Sequence, residues 1–399
     1  MRFSVPEGGP LRVVVLRGLL FPEQLDLWRA CREEGARVHI VGTDYDFYRG
    51  RWPWHPRAPD DMECTVLKPV SPRLSGGQAW WWYKGLGQVF RRVRPHVAHI
   101  LSEPWGVSVA EALFYRKRSN LDVRVCVHGA DNIYHHGRPV EMMIRRAVLK
   151  RVLPRIDGFA SLNDEGIRLA KEAGLSANAP VAVSPGVAAD PERFRPPSLD
   201  ERKALRTRFG LPQESIVAGF FGRLVPEKGV LDLLDAMRSL GVRAPFLAVW
   251  GAGPLEHHVA HESNSRGIRA RHMGSIDFSE VPDAMRACDL VLMPSKSTPA
   301  WAEQFGRVAI EAMLSGSVVI AYSSGALPQV VGGGGILVDE GDVQALASAI
   351  AGVAEDDTKR RELAVRGREW VLNRFAPGVL AKTLMHFWED VLSPRRIGQ

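Results

Sequence analysis

Short apolar runs and helix-spaced segments alternate along this chain, and the alternation outlines the architecture. Residues 11–16 (LRVVVL) form a β-branched apolar run, residues 24–34 repeat apolar positions at helical spacing, and residues 36–41 (ARVHIV) form a second run of strand type. Together they read as β-α-β. Further strands are expected at 97–101, 123–127, 158–161 and 180–183, with helix-like segments between several of them, so the first half reads as doubly wound and parallel. Across residues 184–197 (SPGVAADPERFRPP), Pro, Gly and Asp accumulate and neither a helix nor a central strand can continue. Beyond this linker the pattern restarts. Strands are expected at 216–221, 246–250, 290–293, 318–322 and 336–338, with helices at 230–240 and from Arg307 onward. The expected division is 1–190, 191–376, and a final segment 377–399 whose long helical stretch can cross back to the first domain. The fold class is α/β, with two Rossmann-like doubly wound domains.

At 399 residues the chain is long enough for two cores, and a composition of 45% hydrophobic and 24% charged residues excludes a disordered or fibrous protein. No run approaches the roughly 20 apolar residues of a membrane span, and residues 1–10 lack an apolar signal segment. The expected location is therefore the cytoplasm, including the inner face of a membrane. Cys31, Cys64, Cys126 and Cys288 are scattered, which argues against a disulfide framework and against a zinc knuckle. A formal charge of +7 suits an anionic ligand or an acidic membrane without choosing between them; nucleic acid is not an expected partner.

Candidate chemistry concentrates in two segments of the second half. In Gly219 to Gly229 (GFFGRLVPEKG), a buried strand ends in glycine and is followed by Arg223 and Lys228 before a helix. A glycine turn lets the backbone approach a ligand, the helix start favours anions, and two cations can neutralise a diphosphate without a metal ion. Standing alone, such a segment would be a turn with two solvated cations. Glu303 to Glu311 (EQFGRVAIE) places two carboxylates across a turn into a helix, so Glu303 can sit in the loop while Glu311 lies on the helix. The backbone N–H groups of Phe305, Gly306 and Arg307 then stand at the helix start.

These two segments, in this order, resemble the retaining glycosyltransferases of family 4, marked by G-R-x-x-x-x-K-G and E-x7-E. Gly251-Ala252-Gly253-Pro254, Met273-Gly274-Ser275, Ala287-Cys288-Asp289-Leu290 and Met293-Pro294-Ser295 extend the resemblance over the second half. It implies a GT-B fold, with two domains facing across a cleft, and transfer of a sugar from a nucleoside diphosphate sugar, UDP- or GDP-linked, with no cofactor. By the same resemblance Arg223 and Lys228 bind the diphosphate, Glu311 the ribose, and Glu303 the sugar. Gln304, Phe305, Gly306 and Arg307 supply backbone contacts, Gly251 belongs to the donor site, and Ser275 and Ile276 line the base pocket. In the first half, Gly18 is expected near the donor, without the usual second glycine, and His128 near the donor sugar. Ala188 and Gln329 stand where the family commonly has acids. The fold also hosts sugar-nucleotide epimerases, and a non-catalytic sugar-nucleotide-binding subunit is the reading from a different class.

Three further segments carry candidate chemistry. Asp44-Tyr45-Asp46 reads as a loop rather than a metal-binding D-x-D, and His257, His258 and His261 as a solvated helix face rather than zinc ligands. Trp80, Trp81 and Tyr83, upstream of Arg91, Arg92 and Arg94, suggest a basic amphipathic helix for peripheral membrane contact. An aromatic wall for an acceptor sugar is the alternative. The acceptor is open: a lipid-linked saccharide or a small natural product such as an aminocyclitol.

Overall fold

The computed structural model describes residues 9–19, 25–43, 61–70, 81–133, 139–263 and 268–393. The chain forms two compact units, Met1–Ala188 with Pro377–Gln399 and Ala189–Ala376.

The first unit runs β1 (Arg12–Leu19), α1 (Asp26–Glu33), β2 (Arg37–Thr43), β3 (Glu63–Val70), β4 (Trp82–Lys84), α2 (Leu86–Val93), β5 (Val97–Leu101) and α3 (Val107–Ser119). It continues through β6 (Arg124–Gly129), α4 (Pro139–Val152), β7 (Gly158–Ser161), α5 (Asp164–Glu172) and β8 (Val181–Val183). The sheet order is β4-β3-β2-β1-β5-β6-β7-β8, parallel except for the antiparallel β3–β4 pair. Its central strands are apolar because helices cover both faces; Val13, Val14 and Val15 are all fully buried. Strands β3 and β4 lie toward one edge, and their mixed polarity hid them from the sequence pattern.

Residues 81–84 correct one expectation. They are extended rather than helical, and α2 begins only at Leu86. With a period of two, Trp81 and Tyr83 point inward and are buried at 0% and 2% exposure, whereas Lys84 is exposed. Trp82 packs beside Phe114 and Tyr115. Trp81 and Tyr83 are therefore core residues, available neither to a membrane nor to a sugar; Trp80 lies outside the described residues.

The second unit contains α6 (Leu199–Phe209), β9 (Val217–Phe221), α7 (Val230–Leu240), β10 (Phe246–Trp250), α8 (Glu256–Ser263), β11 (Ala270–Gly274) and α9 (Val281–Arg286). It is completed by β12 (Leu290–Met293), α10 (Arg307–Leu314), β13 (Val318–Tyr322), α11 (Leu327–Val331), β14 (Ile336–Val338), α12 (Val343–Ala354) and α13 (Asp357–Phe375). A capping box starts α6: the Ser198 hydroxyl accepts from Glu201 N–H and the Glu201 carboxylate accepts from Ser198 N–H. The parallel sheet has the order β11-β10-β9-β12-β13-β14. Chain order therefore reverses between β9 and β12, and at such a switch point the loops beyond the strand ends part to leave a crevice.

The last helix, α14 (Pro377–Leu392), packs on α1 and β8 of the first unit. Gly158 permits this approach, since a β-carbon there would lie 2.6 Å from Val391 Cγ2.

Candidate active site

At the switch point, the loop after β9 carries Gly222 and Arg223 and ends in Lys228, at the close of a 3-10 turn that begins with Pro226. Gly229 follows with φ +69°, and a β-carbon there would meet the Pro294 carbonyl oxygen at 1.7 Å. Only glycine lets the loops after β9 and β12 approach so closely. The same holds at Gly251 after β10, with φ +149°, where a β-carbon would lie 1.8 Å from Gly222 O.

A cleft of about 380 Å³ lies over these strand ends. Its lining brings together Arg223, Gly251, Ser275, Ile276, Arg307 and Glu311, all expected at a donor site from the sequence. Phe221 and Trp250, stacked with centroids 4.6 Å apart and planes 6° apart, also line it, as do Phe278, Val281 and Met285. Aromatic and aliphatic walls combined with a few charged groups suit a flat base and its polar substituents. The wall residues escaped sequence reading because they are ordinary apolar residues of strand and helix ends.

Two ion pairs join the expected site residues, Arg307–Glu311 in the cleft lining and Lys228–Glu303 outside it. Arg307 Nε donates to Glu311 Oε1 at 2.6 Å across one helical turn, and the Arg307 guanidinium sits 4.7 Å from the Phe278 ring centroid. Arg193, whose guanidinium lies 4.6 Å from the centroid of that same ring, donates to Phe278 O. Burial raises the Glu311 carboxyl above its ordinary range, against the lowering effects of Arg307 and Arg193. Lys228 Nζ donates to Glu303 Oε2 at 2.6 Å, Ser295 Oγ donates to the same oxygen at 3.0 Å, and the ammonium lies 4.8 Å from the Trp301 ring centroid. Lys228 and Glu303 thus meet each other. An ammonium has three donors, so this bond leaves others for a ligand oxygen. Arg223 is exposed and has no ion-pair partner among the described residues.

Gln304 is half-buried and Phe305 is buried edge-on against Phe375. Gly306, at φ +88°, is the N-cap of α10, whose first-turn N–H groups at Arg307 and Val308 have no intrahelical acceptor.

In the first unit, Gly18 lies in β1 at an irregularity of register between Leu16 and Leu19. His128, on β6, ends a directed chain. The Trp388 indole N–H donates to His99 Nδ1 at 3.1 Å; an indole can only donate, so His99 carries its proton on Nε2 and donates to His128 Nδ1 at 2.9 Å. His128 then donates from Nε2 to Ser184 O at 2.8 Å. Burial lowers His128 to about 4 and His99 well below the usual imidazole range, so both rings are neutral near pH 7. Both nitrogens of His128 are hydrogen-bonded within the first unit. In this arrangement it holds the Ser184–Gly186 turn.

Asp44-Tyr45-Asp46 lies outside the described residues, and His257, His258 and His261 are exposed on α8. Among the described residues no cluster of His, Cys, Asp and Glu could hold a metal ion.

Fold and cleft define a two-unit α/β protein with a nucleotide-type crevice, and comparison with known proteins supplies the family. Residues 23–186 match the model of the glycosyl transferase 4-like domain, and residues 201–370 that of glycosyl transferases group 1. The 2-deoxystreptamine glucosyltransferase of Streptomyces kanamyceticus is 31% identical over 315 residues, spanning 76% of this chain and 74% of that protein. The GDP-mannose-dependent alpha-(1-6)-phosphatidylinositol monomannoside mannosyltransferase of Mycolicibacterium smegmatis is 32% identical over 241 residues, 57% of this chain and 62% of the relative. Anabaena HepE in complex with UDP shares the fold with a TM-score of 0.70 at 18% identity, covering 95% of this chain and 100% of that one. The chain belongs to the GT-B glycosyltransferases of family 4 type.

Proposed function

We propose that the second unit binds a nucleoside diphosphate sugar and that the enzyme transfers the sugar, with retention at the anomeric carbon, to a hydroxyl of a cyclitol or cyclitol-bearing acceptor. The observation that carries the donor reading is the cleft at the β9/β12 switch point, where Arg223, Arg307 and Glu311 share one lining with the stacked Phe221 and Trp250. The base lies against the apolar wall with Gly251, Ser275 and Ile276, and Glu311 accepts from the ribose hydroxyls. The diphosphate meets Arg223, Lys228 and the N-terminus of α10, while Glu303 orients Lys228 and faces the sugar.

As the glycosidic bond breaks, its electron pair leaves with the diphosphate. Arg223 and Lys228 stabilise that charge more in the transition state than in the bound donor, which is what accelerates the step. The acceptor hydroxyl forms the new bond at the same carbon and passes its proton to the departing diphosphate. The cyclitol reading draws on the two relatives, named for 2-deoxystreptamine and for a phosphatidylinositol mannoside; the first unit is assigned to the acceptor.

Thermal unfolding with UDP, GDP, ADP, dTDP and CDP tests the donor site, since a nucleotide at 100 times its Kd adds about 2.7 kcal/mol. Stabilisation by one of them, lost in Lys228→Ala, is the expected result and names the base. No shift with any nucleotide would remove the reading. Product formation with 2-deoxystreptamine and inositol acceptors then tests the acceptor class.

A further inference from the structure

Helix α4 has two apolar faces. Leu149 and Val152 turn into the core of the first unit, but Val140, Met143 and Ile144 are 64%, 65% and 47% exposed. At about 100° per residue, these three and the exposed Ala147 fall within an arc of about 100°, on the side away from the core. Single exposed apolar side chains are ordinary, whereas three on adjoining turns form a patch.

Charge accompanies that patch. The helix carries Arg145, Arg146, Lys150 and Arg151 against one carboxylate, Glu141. Arg145 is held at 3.6 Å from Glu141 and over the Trp105 ring, whereas Arg146 and Lys150 have no ion pair among the described residues. Both border a groove of about 190 Å³ with Leu149, Leu169 and Ala173 along it; its one acid, Glu172, is paired with Arg168.

We propose that α4 docks the protein on a membrane surface rich in anionic phospholipid, with Val140, Met143 and Ile144 among the acyl chains and Arg146 and Lys150 at the phosphates. Exposed aliphatic side chains call for an apolar phase, and flanking unpaired cations call for anions at its rim. A bilayer bearing anionic lipid offers both along the length of an in-plane helix. A second copy of this chain would instead bring the same cations against one another. No helix among the described residues is long and apolar enough to cross a membrane; the contact is peripheral. It does not depend on the donor or acceptor assignment, and it moves the membrane face away from the buried Trp81 and Tyr83.

Flotation of the full chain with vesicles of phosphatidylcholine, with and without phosphatidylglycerol, tests the proposal without any sugar present. The wild type should float only with anionic vesicles and release in high salt, a result that needs no variant. Arg146→Glu with Lys150→Glu should weaken binding about tenfold or more, as should Met143→Glu. Val242→Ser, which removes an apolar side chain 94% exposed in the second unit, should bind as the wild type. Thermal unfolding checks that each variant is folded, and the charge reversal alters only rim residues. Failure of the wild type to float with anionic vesicles overturns the proposal, as does unchanged binding in the α4 variants. So does a wild-type dimer, seen by light scattering, that Met143→Glu dissociates.

Discussion

The two parallel sheets treat the polar groups near their carboxyl ends in opposite ways. In the second unit, Arg307–Glu311 is an ion pair of 2.6 Å in the lining of an open cleft that Arg223 also borders, and Lys228–Glu303 is a second pair of 2.6 Å outside that lining. In the first, His99 and His128 are buried and neutral, joined by hydrogen bonds from Trp388 to Ser184. Glu103, after β5, accepts from Ala130 and Asp131 N–H and is raised to about 8, mainly by burial. Related topologies therefore carry different electrostatics. Part-exposed cations paired with buried carboxylates can exchange a partner for an anion, whereas a neutral chain fixes shape without adding charge.

The contrast breaks most sharply at Lys228. Lys228→Ala should lower the transfer rate about 10²–10³-fold, the usual effect of removing one group that stabilises a leaving charge. Measured as kcat with saturating donor, a loss under tenfold would mean that Arg223 and the α10 terminus suffice.

The candidate donor residues stand out in the sequence because they sit in two short contiguous segments, Arg223 to Gly229 after β9 and Glu303 to Glu311 running from a loop into α10. Strands β7, β10, β12, β13 and β14 lie where their apolar runs place them. Polar groups joined across long stretches of chain were not legible. His99, His128, Ser184 and Trp388 meet only through folding, and no local pattern announces that the His128 nitrogens are already bonded. Strands β3, β4 and β11 were missed because strands near a sheet edge need not be apolar. At residues 81–84 a period of two was read as helical.

A smaller effect separates the two units at their glycines. Gly229→Ala in the second unit meets both a positive φ and the Pro294 carbonyl, and should destabilise by about 3 kcal/mol. Gly174→Ala in the first has φ +115° but nothing within 4 Å, so backbone strain alone should cost about 1 kcal/mol. Denaturant unfolding of the two variants would sink the close-approach argument if their losses were equal.

The smallest effect tests whether suppressed charge belongs to the first unit. Glu111 is fully buried; its Oε2 accepts from Tyr83 N–H at 2.7 Å, and its Oε1 has no partner among the described residues. Burial pushes its carboxyl from 4.5 up to about 8, against the opposite pull of that hydrogen bond. A raised carboxyl binds its proton more tightly in the folded state, so its contribution is fully present below about pH 4.5 and is lost as pH rises through 8. His99 and His128 act in the opposite sense and lower: their lowered values cost stability as pH falls below 6.5, through about 4 for His128. Between pH 6.5 and 9 the histidines are silent. Over that window Glu111 should remove up to about 2 kcal/mol from the wild type. Glu111→Gln keeps an acceptor for Tyr83 N–H and cannot ionise, so it should flatten the fall in part, Glu103 remaining. A thermal midpoint difference between variant and wild type that grows with pH is expected; a constant difference would show that Glu111 is already ionised, and that the neutral character of the first unit does not extend to it.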